Sequence, residues 1–363
     1  MKQLALVATA IAAASGTAHA GGLDRSGTPI GIIFETGNYA ELSYGYTDPS
    51  LTGIDAIGTP IRNIASTFGI VGAGLKLDVS ETVSLAFILD QPYGVDVEYG
   101  PETPVLGGTL ADAESYGLTT LVRYKATDRI SVYGGPRFVR AEGQVNLGGL
   151  AYGPANGYRS NYASDTGTGY VIGAAYEIPD IAFRAALTYH SEIDLAFNTT
   201  ETFPNGFTPP SGITNTTLPQ TIKLAVQSGI AEDTLAFGSI RWADHSEFSL
   251  VPPVFQTNLA DLDNTTTYEL GVGRRFTERF SARTSVIYED GGSDDLVSPL
   301  APTNGFTALT VGGQYQVTEA VDISGGIRYT WLKDARPQTG GAPRGSFRNN
   351  DALSLGVKLG VRF

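Results

Sequence analysis

Cysteine is absent from the 363 residues, which excludes a disulfide framework and thiolate metal sites. Basic residues are scarce: 24 Lys and Arg stand against 37 Asp and Glu, a net charge of −13. No basic surface is available to displace counterions from a phosphate backbone, so nucleic acid is not expected as a partner. Long apolar runs are missing too. After residue 20 no window approaches the ~18 uninterrupted apolar residues of a helical span. What the chain does have is glycine and aromatic residues: 45 Gly, 18 Tyr and 16 Phe, with 42% hydrophobic residues. That composition is too apolar for disorder and unlike a helical bundle. The length admits two or three soluble domains or one large β architecture.

Met1-Lys2-Gln3 gives a basic start, Leu4 to Ala14 is apolar, and Ala18-His19-Ala20 places small residues at a cleavage site. This pattern predicts a secretory signal peptide over residues 1–20, with the mature chain beginning at Gly21.

Two-residue alternation recurs along the rest. Leu353, Leu355, Val357, Leu359, Val361 and Phe363 fall on one face, and Ser354, Gly356, Lys358, Gly360 and Arg362 on the other. Ile323, Ile327, Tyr329 and Trp331 alternate in the same way with Asp322, Ser324, Arg328 and Thr330. In the same sense Phe183, Leu187, Tyr189, Ile193, Leu195 and Phe197 alternate with Arg184, Thr188, His190, Glu192 and Asp194. A period of two is a half-buried strand, and charges on the polar face make that face wet. Tight polar turns near residues 78–81, 127–128, 179–180, 232–233, 278–279 and 318–319 recur at intervals of roughly 40 to 52 residues. Seven longer Gly/Pro/Asn-rich segments lie between them. Six turns and seven loops make 13 connections, hence 14 strands. Short turns on one rim and longer loops on the other predict a 14-stranded antiparallel transmembrane β-barrel over 38–363, with residues 21–37 ahead of the first strand. In hydrocarbon only a closed sheet lets strands pair every backbone group.

Little chemistry is offered for catalysis. His190-Ser191-Glu192 and Asp244-His245-Ser246 bring hydrolase-like residue types together, but strand neighbours point to opposite faces. Arg184, His190, Glu192, Asp194 and Arg328 are better read as a charge network lining the lumen, and no cofactor or metal is called for. The odd feature is Gln91-Pro92-Tyr93-Gly94 inside the third strand. Proline cannot donate to a ladder and glycine has no side chain to pack. Either the strand ends at Asp90, or a bulge kinks it and leaves wall groups unpaired. Resumption of the alternation at Val95 and Val97 favours the kink.

Several stretches resemble the FadL/TodX family of outer-membrane transporters for hydrophobic compounds. They are Gly169 to Glu177, Ala186 to Ile193, Leu218-Pro219-Gln220, Trp242 to Phe248, Tyr268 to Gly273 and Gly325 to Thr330. The likeness covers about 66–363. It implies a 14-stranded barrel, a small N-terminal plug, and a third-strand kink, here Gln91 to Gly94, that opens the wall sideways. The N-terminus departs from the family: its Asn-Pro-Ala motif is missing and the segment is short. Gly21, Gly22, Leu23, Ile32 and Phe34 form a reduced plug, or Ile32 and Phe34 belong to a longer first strand. In the mechanism that follows, Leu150, Tyr152, Phe203 and Phe207 on the long loops capture an apolar molecule outside. Arg184 or Arg328 orients a carboxylate, and the kink releases the molecule into the outer leaflet. The expected function is passive uptake of long-chain fatty acids or similar hydrophobic compounds. A general diffusion porin for polar solutes is the alternative, and a barrel lipase using His190 or His245 a distant third. The expected surroundings are outer-membrane lipid, lipopolysaccharide and, through Phe363, the barrel assembly machinery. The resemblance implies a monomer.

Overall fold

The computed structural model describes residues 23–260, 262–292 and 294–363; the expected signal peptide over 1–20 and the expected plug residues Gly21 and Gly22 lie outside the described residues. Fourteen antiparallel strands form the wall. They are β1 (Tyr39–Ser50), β2 (Phe68–Asp78), β3 in two pieces (Val83–Asp90 and Gly94–Glu98), β4 (Leu110–Lys125), β5 (Ile130–Leu147) and β6 (Tyr158–Ile178). There follow β7 (Phe183–His190 and Ile193–Thr202), β8 (Gly212–Leu218 and Thr221–Ala231), β9 (Thr234–Ala243) and β10 (Thr265–Arg275). The last four are β11 (Phe280–Glu289), β12 (Phe306–Gln316), β13 (Val321–Leu332) and β14 (Asp351–Arg362). The sheet closes because β1 pairs with β14 from Tyr39↔Arg362 to Ser50↔Asp351 and with β2 on its other side. Among the described residues no helix is long and apolar enough to cross a membrane.

The fourteen strands expected from the turn count are present. β6 begins at Tyr158, so the loop between β5 and β6 is short. β9 stops at Ala243, so the connection to β10 is long.

The barrel obeys two opposite polarity rules along its height. Near the short turns the outer face is apolar: Leu118, Val122, Val132, Ile172, Leu187, Leu224 and Leu270 are exposed. Ser84, Thr119, Arg123, Ser131, Arg137, Thr188 and Arg328 point inward and are buried there. Exposed Tyr116, Tyr170, Tyr268, Tyr288 and Trp331 edge this belt above, and Tyr124, Tyr176, Phe276, Phe280 and Tyr315 edge it below. An apolar band between two aromatic girdles is the lipid-facing surface of a membrane barrel. On β4 to β8, where the strands run on towards the long loops, the rule reverses. The outer face carries Asp112, Glu114, Arg140, Glu142 and Arg159. The inner face carries Val139, Val145, Leu147, Tyr158, Tyr162, Ile193, Leu195, Phe197 and Leu218, all in one buried apolar cluster. That half has water outside and a packed core within.

In β7 the reversal requires a phase slip. Leu187 is exposed and Thr188 and His190 are buried; then Ser191 is buried as well and Glu192 and Asp194 turn outward. The single continuous alternation expected from Phe183 to Phe197 is therefore two alternations of opposite sense. β8 slips at the same level, because His190↔Thr221 and Ile193↔Leu218 keep one register across Ser191-Glu192 and Pro219-Gln220.

Candidate functional site

Strand β3 breaks where the sequence offers proline. Asp90 pairs with Gly117 and Gly94 with Glu114, so three residues, Gln91, Pro92 and Tyr93, stand opposite two, Ser115 and Tyr116. This is a bulge, and it bends the strand and leaves ladder groups to be satisfied otherwise. Ser115 Oγ accepts from the Tyr93 N–H at 2.8 Å and donates to the Tyr93 carbonyl at 2.7 Å. Below the bulge β3 pairs with both β2 and β4; above it β3 pairs in a ladder with β4 alone. The upper end of β2 thus has β1 on one side (Thr47↔Phe68) and no β3 ladder on the other. Higher up the edges meet again through the Ala65↔Val97 bridge and the Ser66 hydroxyl on Asp96 at 2.9 Å. The result is a window in the wall, framed by Phe68 to Gly72 and by Gln91 to Val95.

The N-terminal segment fills the window. Arg25 N–H donates to the Pro92 carbonyl at 2.9 Å, Gly94 N–H to the Leu23 carbonyl at 2.8 Å, and Arg25 Nε to the Gly94 carbonyl at 3.0 Å. The Arg25 guanidinium lies 3.5 Å from the Phe68 ring centroid, and Gln91 Oε1 accepts the Val71 N–H at 2.8 Å. Backbone groups that the bulge frees are thereby paired, as burial requires.

Three polar ties then carry the segment across the lumen. Asp24 Oδ2 meets Arg241 Nη1 at 2.7 Å and His245 Nε2 at 3.5 Å. Ser26 and Thr28 hydroxyls donate to Asp90 Oδ2 at 3.1 and 2.7 Å, and Arg137 Nη2 donates to Thr28 at 3.2 Å. Glu35 pairs with Arg362 at 3.0 Å. Between these ties Ile30–Phe34 forms one 3-10 turn with Ile32, Ile33 and Phe34 buried. Ile32 and Phe34 thus belong to the lumen segment and not to a longer first strand. Arg123 and Arg184 lie 4.6 and 4.3 Å from the Phe34 ring centroid, attracted to its negative faces.

The segment separates two cavities. Above it an apolar one of about 100 Å³ is lined by Leu23, Tyr93, Val95, Tyr162, Leu195 and Phe197 and roofed from the β9–β10 loop by Phe248, Leu250, Ala260 and Leu262. Below it lies a charged one of about 290 Å³, among whose lining residues are Asp90, Arg184, Lys223, Glu269 and Arg283. Tyr93 borders both.

The expected residues distribute unevenly over this site. Gln91, Pro92, Tyr93 and Gly94 frame the window, and Leu23, Ile32 and Phe34 lie in the lumen. Arg184 points inward, donating to Gln227 at 3.1 Å, and Arg328 is buried with Nε on Thr310 at 3.1 Å. His190 is inside beside Arg137, at 3.5 Å. Glu192 and Asp194 do not belong to this network: the slip at Ser191 puts them on the outer face, where Asp194 accepts from Thr217 at 2.8 Å. The slip also turns Ser191 inward, but its hydroxyl is used on the Tyr170 N–H and the Glu192 carbonyl, at 2.9 and 3.0 Å. Phe203 and Phe207 are brought together, ring centroids 6.0 Å apart, with Tyr158 and Phe255 beside Phe203. Tyr152 packs against the same apolar cluster, whereas Leu150 is 70% exposed and stands apart from it. Asp24, Arg25, Arg241 and Ser115 were not singled out. Asp24-Arg25, two charges entering an otherwise apolar segment, was the available signal.

A family model described as outer membrane protein transport protein (OMPP1/FadL/TodX) matches residues 62–363. The chain belongs to the FadL/TodX family. FadL/TodX proteins are outer-membrane transport channels for hydrophobic compounds and not enzymes, and the two-girdled 14-stranded barrel agrees with that location. No curated protein sequence matches the chain. Solved structures that share the fold include a Pseudomonas aeruginosa FadL homologue (16% identity, 93% of each chain, TM-score 0.74). The Pseudomonas putida toluene transporter TodX superposes over 98% of this chain and 97% of its own (12% identity, TM-score 0.69). The Ralstonia pickettii toluene transporter TbuX covers 91% and 90% (11% identity, TM-score 0.65).

Proposed function

We propose that this barrel passively admits compact apolar molecules, about one aromatic ring in size, and releases them sideways into the outer leaflet through the β2–β3 window. One observation carries the reading: the apolar cavity abuts the window, with Tyr93, Gly94 and Val95 in its lining. A molecule there is already at the wall and need not cross the charged lumen below. The driving force is burial, about 0.8 kcal/mol per CH₂ taken from water. Size sets the class. An apolar cavity of roughly 150 Å³ holds benzene; this one, about 100 Å³ beneath its closed roof, is a third smaller but of that order, and well short of a long acyl chain. The toluene transporters among the solved neighbours agree with that scale.

In this reading Phe203, Phe207 and Tyr152 gather the molecule outside, and residues 23–37 act as the plug. Their three ties across the lumen keep polar solutes out. A long-chain fatty acid is the second reading, favoured by the larger charged cavity beneath Tyr93, where Arg184 is available to a carboxylate.

The test uses vesicles with lipopolysaccharide in the outer leaflet, with and without the protein. Protein-dependent uptake of toluene, little of a long-chain fatty acid and no swelling in a small sugar is expected. Preference for the fatty acid would transfer the proposal to the second reading. Sugar swelling without an apolar advantage would overturn both and leave a diffusion pore.

A further inference from the structure

The β9–β10 loop, described over residues 244–260 and 262–264, covers the apolar cavity and is held by a buried carboxylate of the wall. Its tip docks on Glu201, on the inner face of the upper half of β7 and 2% exposed. Glu201 accepts the Val254 N–H on Oε1 and the Phe255 N–H on Oε2, both at 2.8 Å, and the Tyr158 hydroxyl on Oε2 at 2.7 Å. Two consecutive backbone donors on one carboxylate fix the tip in orientation as well as position. Phe255 consequently stacks on Tyr158 at 4.2 Å, and Phe203 meets Tyr158 edge-on at 5.3 Å. Behind the tip the loop is drawn into a lasso: Leu250 N–H donates to Asn258 Oδ1 and Leu259 N–H to the Leu250 carbonyl, each at 2.9 Å. The lasso presses Leu250, Leu259 and Ala260 down on the cluster that lines the cavity. Pro253 packs so tightly on β8 that a Cβ at Gly212 would stand 2.6 Å from its Cγ.

The geometry points to Glu201 as the positioning residue that latches this roof and thereby sets the largest molecule the cavity admits. The inference rests on the apolar-channel reading and adds the determinant of its size limit. A buried carboxylate gains nothing from an apolar substrate; two of its three donors are the roof's own amides, and the third is Tyr158 of the wall, on which Phe255 of the roof stacks. Opening the roof returns the carboxylate and both amides to water, so the latch is reversible. The largest molecule that passes is the one whose own burial outweighs that exchange.

The experiment compares the protein-dependent uptake of phenanthrene, three fused rings, with that of toluene, one ring. Glu201→Ala should raise the phenanthrene-to-toluene ratio about tenfold, the order expected when charge-assisted hydrogen bonds to a buried group are lost. The chain has no cysteine of its own, so a Gly212→Cys/Pro253→Cys pair can be oxidised without competition. The 2.9 Å from the built Cβ to Pro253 Cβ is near disulfide geometry after a shift of about an ångström. In the Glu201→Ala background the oxidised pair should restore the low ratio, and reduction should release it again. Alkylation of the reduced pair reports the roof directly and should be faster without Glu201. An unchanged ratio with faster alkylation would overturn the size role, and unchanged alkylation would overturn the latch. Loss of protein-dependent uptake of both hydrocarbons in the wild type would instead remove the channel reading and the size role with it.

Discussion

Asp24 Oδ2 lies 2.7 Å from Arg241 Nη1, joining the first described turn of chain to the ninth strand across the lumen. The carboxylate side chain is 2% exposed and the guanidinium 11%. Breaking such a pair from one side leaves a buried charge uncompensated, at about 3–5 kcal/mol. Arg241→Ala is therefore expected to loosen the segment and raise the conductance of the barrel to small ions. Replacing both partners, Asp24→Leu with Arg241→Met, should bring conductance back towards the wild type. Planar-bilayer recordings of the three proteins check this. Equal conductance in wild type and Arg241→Ala would show that the segment is held without the pair.

At the window, glycine matters because of what approaches it. A Cβ on Gly94 would stand 2.9 Å from the Ala113 carbonyl oxygen and 3.1 Å from Arg25 Nε. Gly94→Val should displace the Arg25 side chain and fill the space beside Phe68. Toluene uptake is expected to fall about tenfold, roughly 1.4 kcal/mol in barrier height. The folded barrel should keep its heat-modifiable migration on gels. Normal uptake by correctly folded Gly94→Val would remove the lateral exit.

The two polarity rules make opposite demands on substitutions only a few residues apart in β7. Leu187 is 52% exposed on the apolar belt, and an arginine there faces hydrocarbon at a cost of about 2–4 kcal/mol. Asp194 lies on the outer face beyond the slip, where Asp194→Lys should change stability by less than about 0.5 kcal/mol. Urea unfolding in lipid vesicles compares Leu187→Arg with Asp194→Lys. Similar losses in both would place the membrane boundary elsewhere.

Much of the fold was legible because a barrel is written in period and spacing. The outward set from Leu353 to Phe363 and the inward set at Asp322, Ser324, Arg328 and Thr330 follow from alternation alone, and Pro92 announced the break in β3. The phase slip at Ser191 was not legible. Ile193, Leu195 and Phe197 are as apolar as Leu187 and Tyr189, so they extend one alternation in sequence while facing the opposite way in space. Hydrophobicity does not distinguish a side chain facing lipid from one facing a protein core; only the level along the barrel does. Glu192 and Asp194 were misplaced for the same reason. The ties of the N-terminal segment were hidden for another: Asp24 and Arg241 are separated by more than two hundred residues, and nothing local to either predicts the partner.

The reversal of polarity divides the molecule into two engineering problems that do not interfere. Insertion into lipid depends on the belt between the aromatic girdles; the apolar cavity meets that belt only at its window end, opposite Tyr116 of the upper girdle, and otherwise lies above it, inside a wall whose outer surface is water-compatible. Side chains such as Tyr162, Leu195, Phe197 and Leu218 are therefore governed by the volume-matching rules of a soluble protein core. The chamber should be recuttable for other guests in the way an enzyme pocket is, with insertion of the belt into the bilayer unaffected.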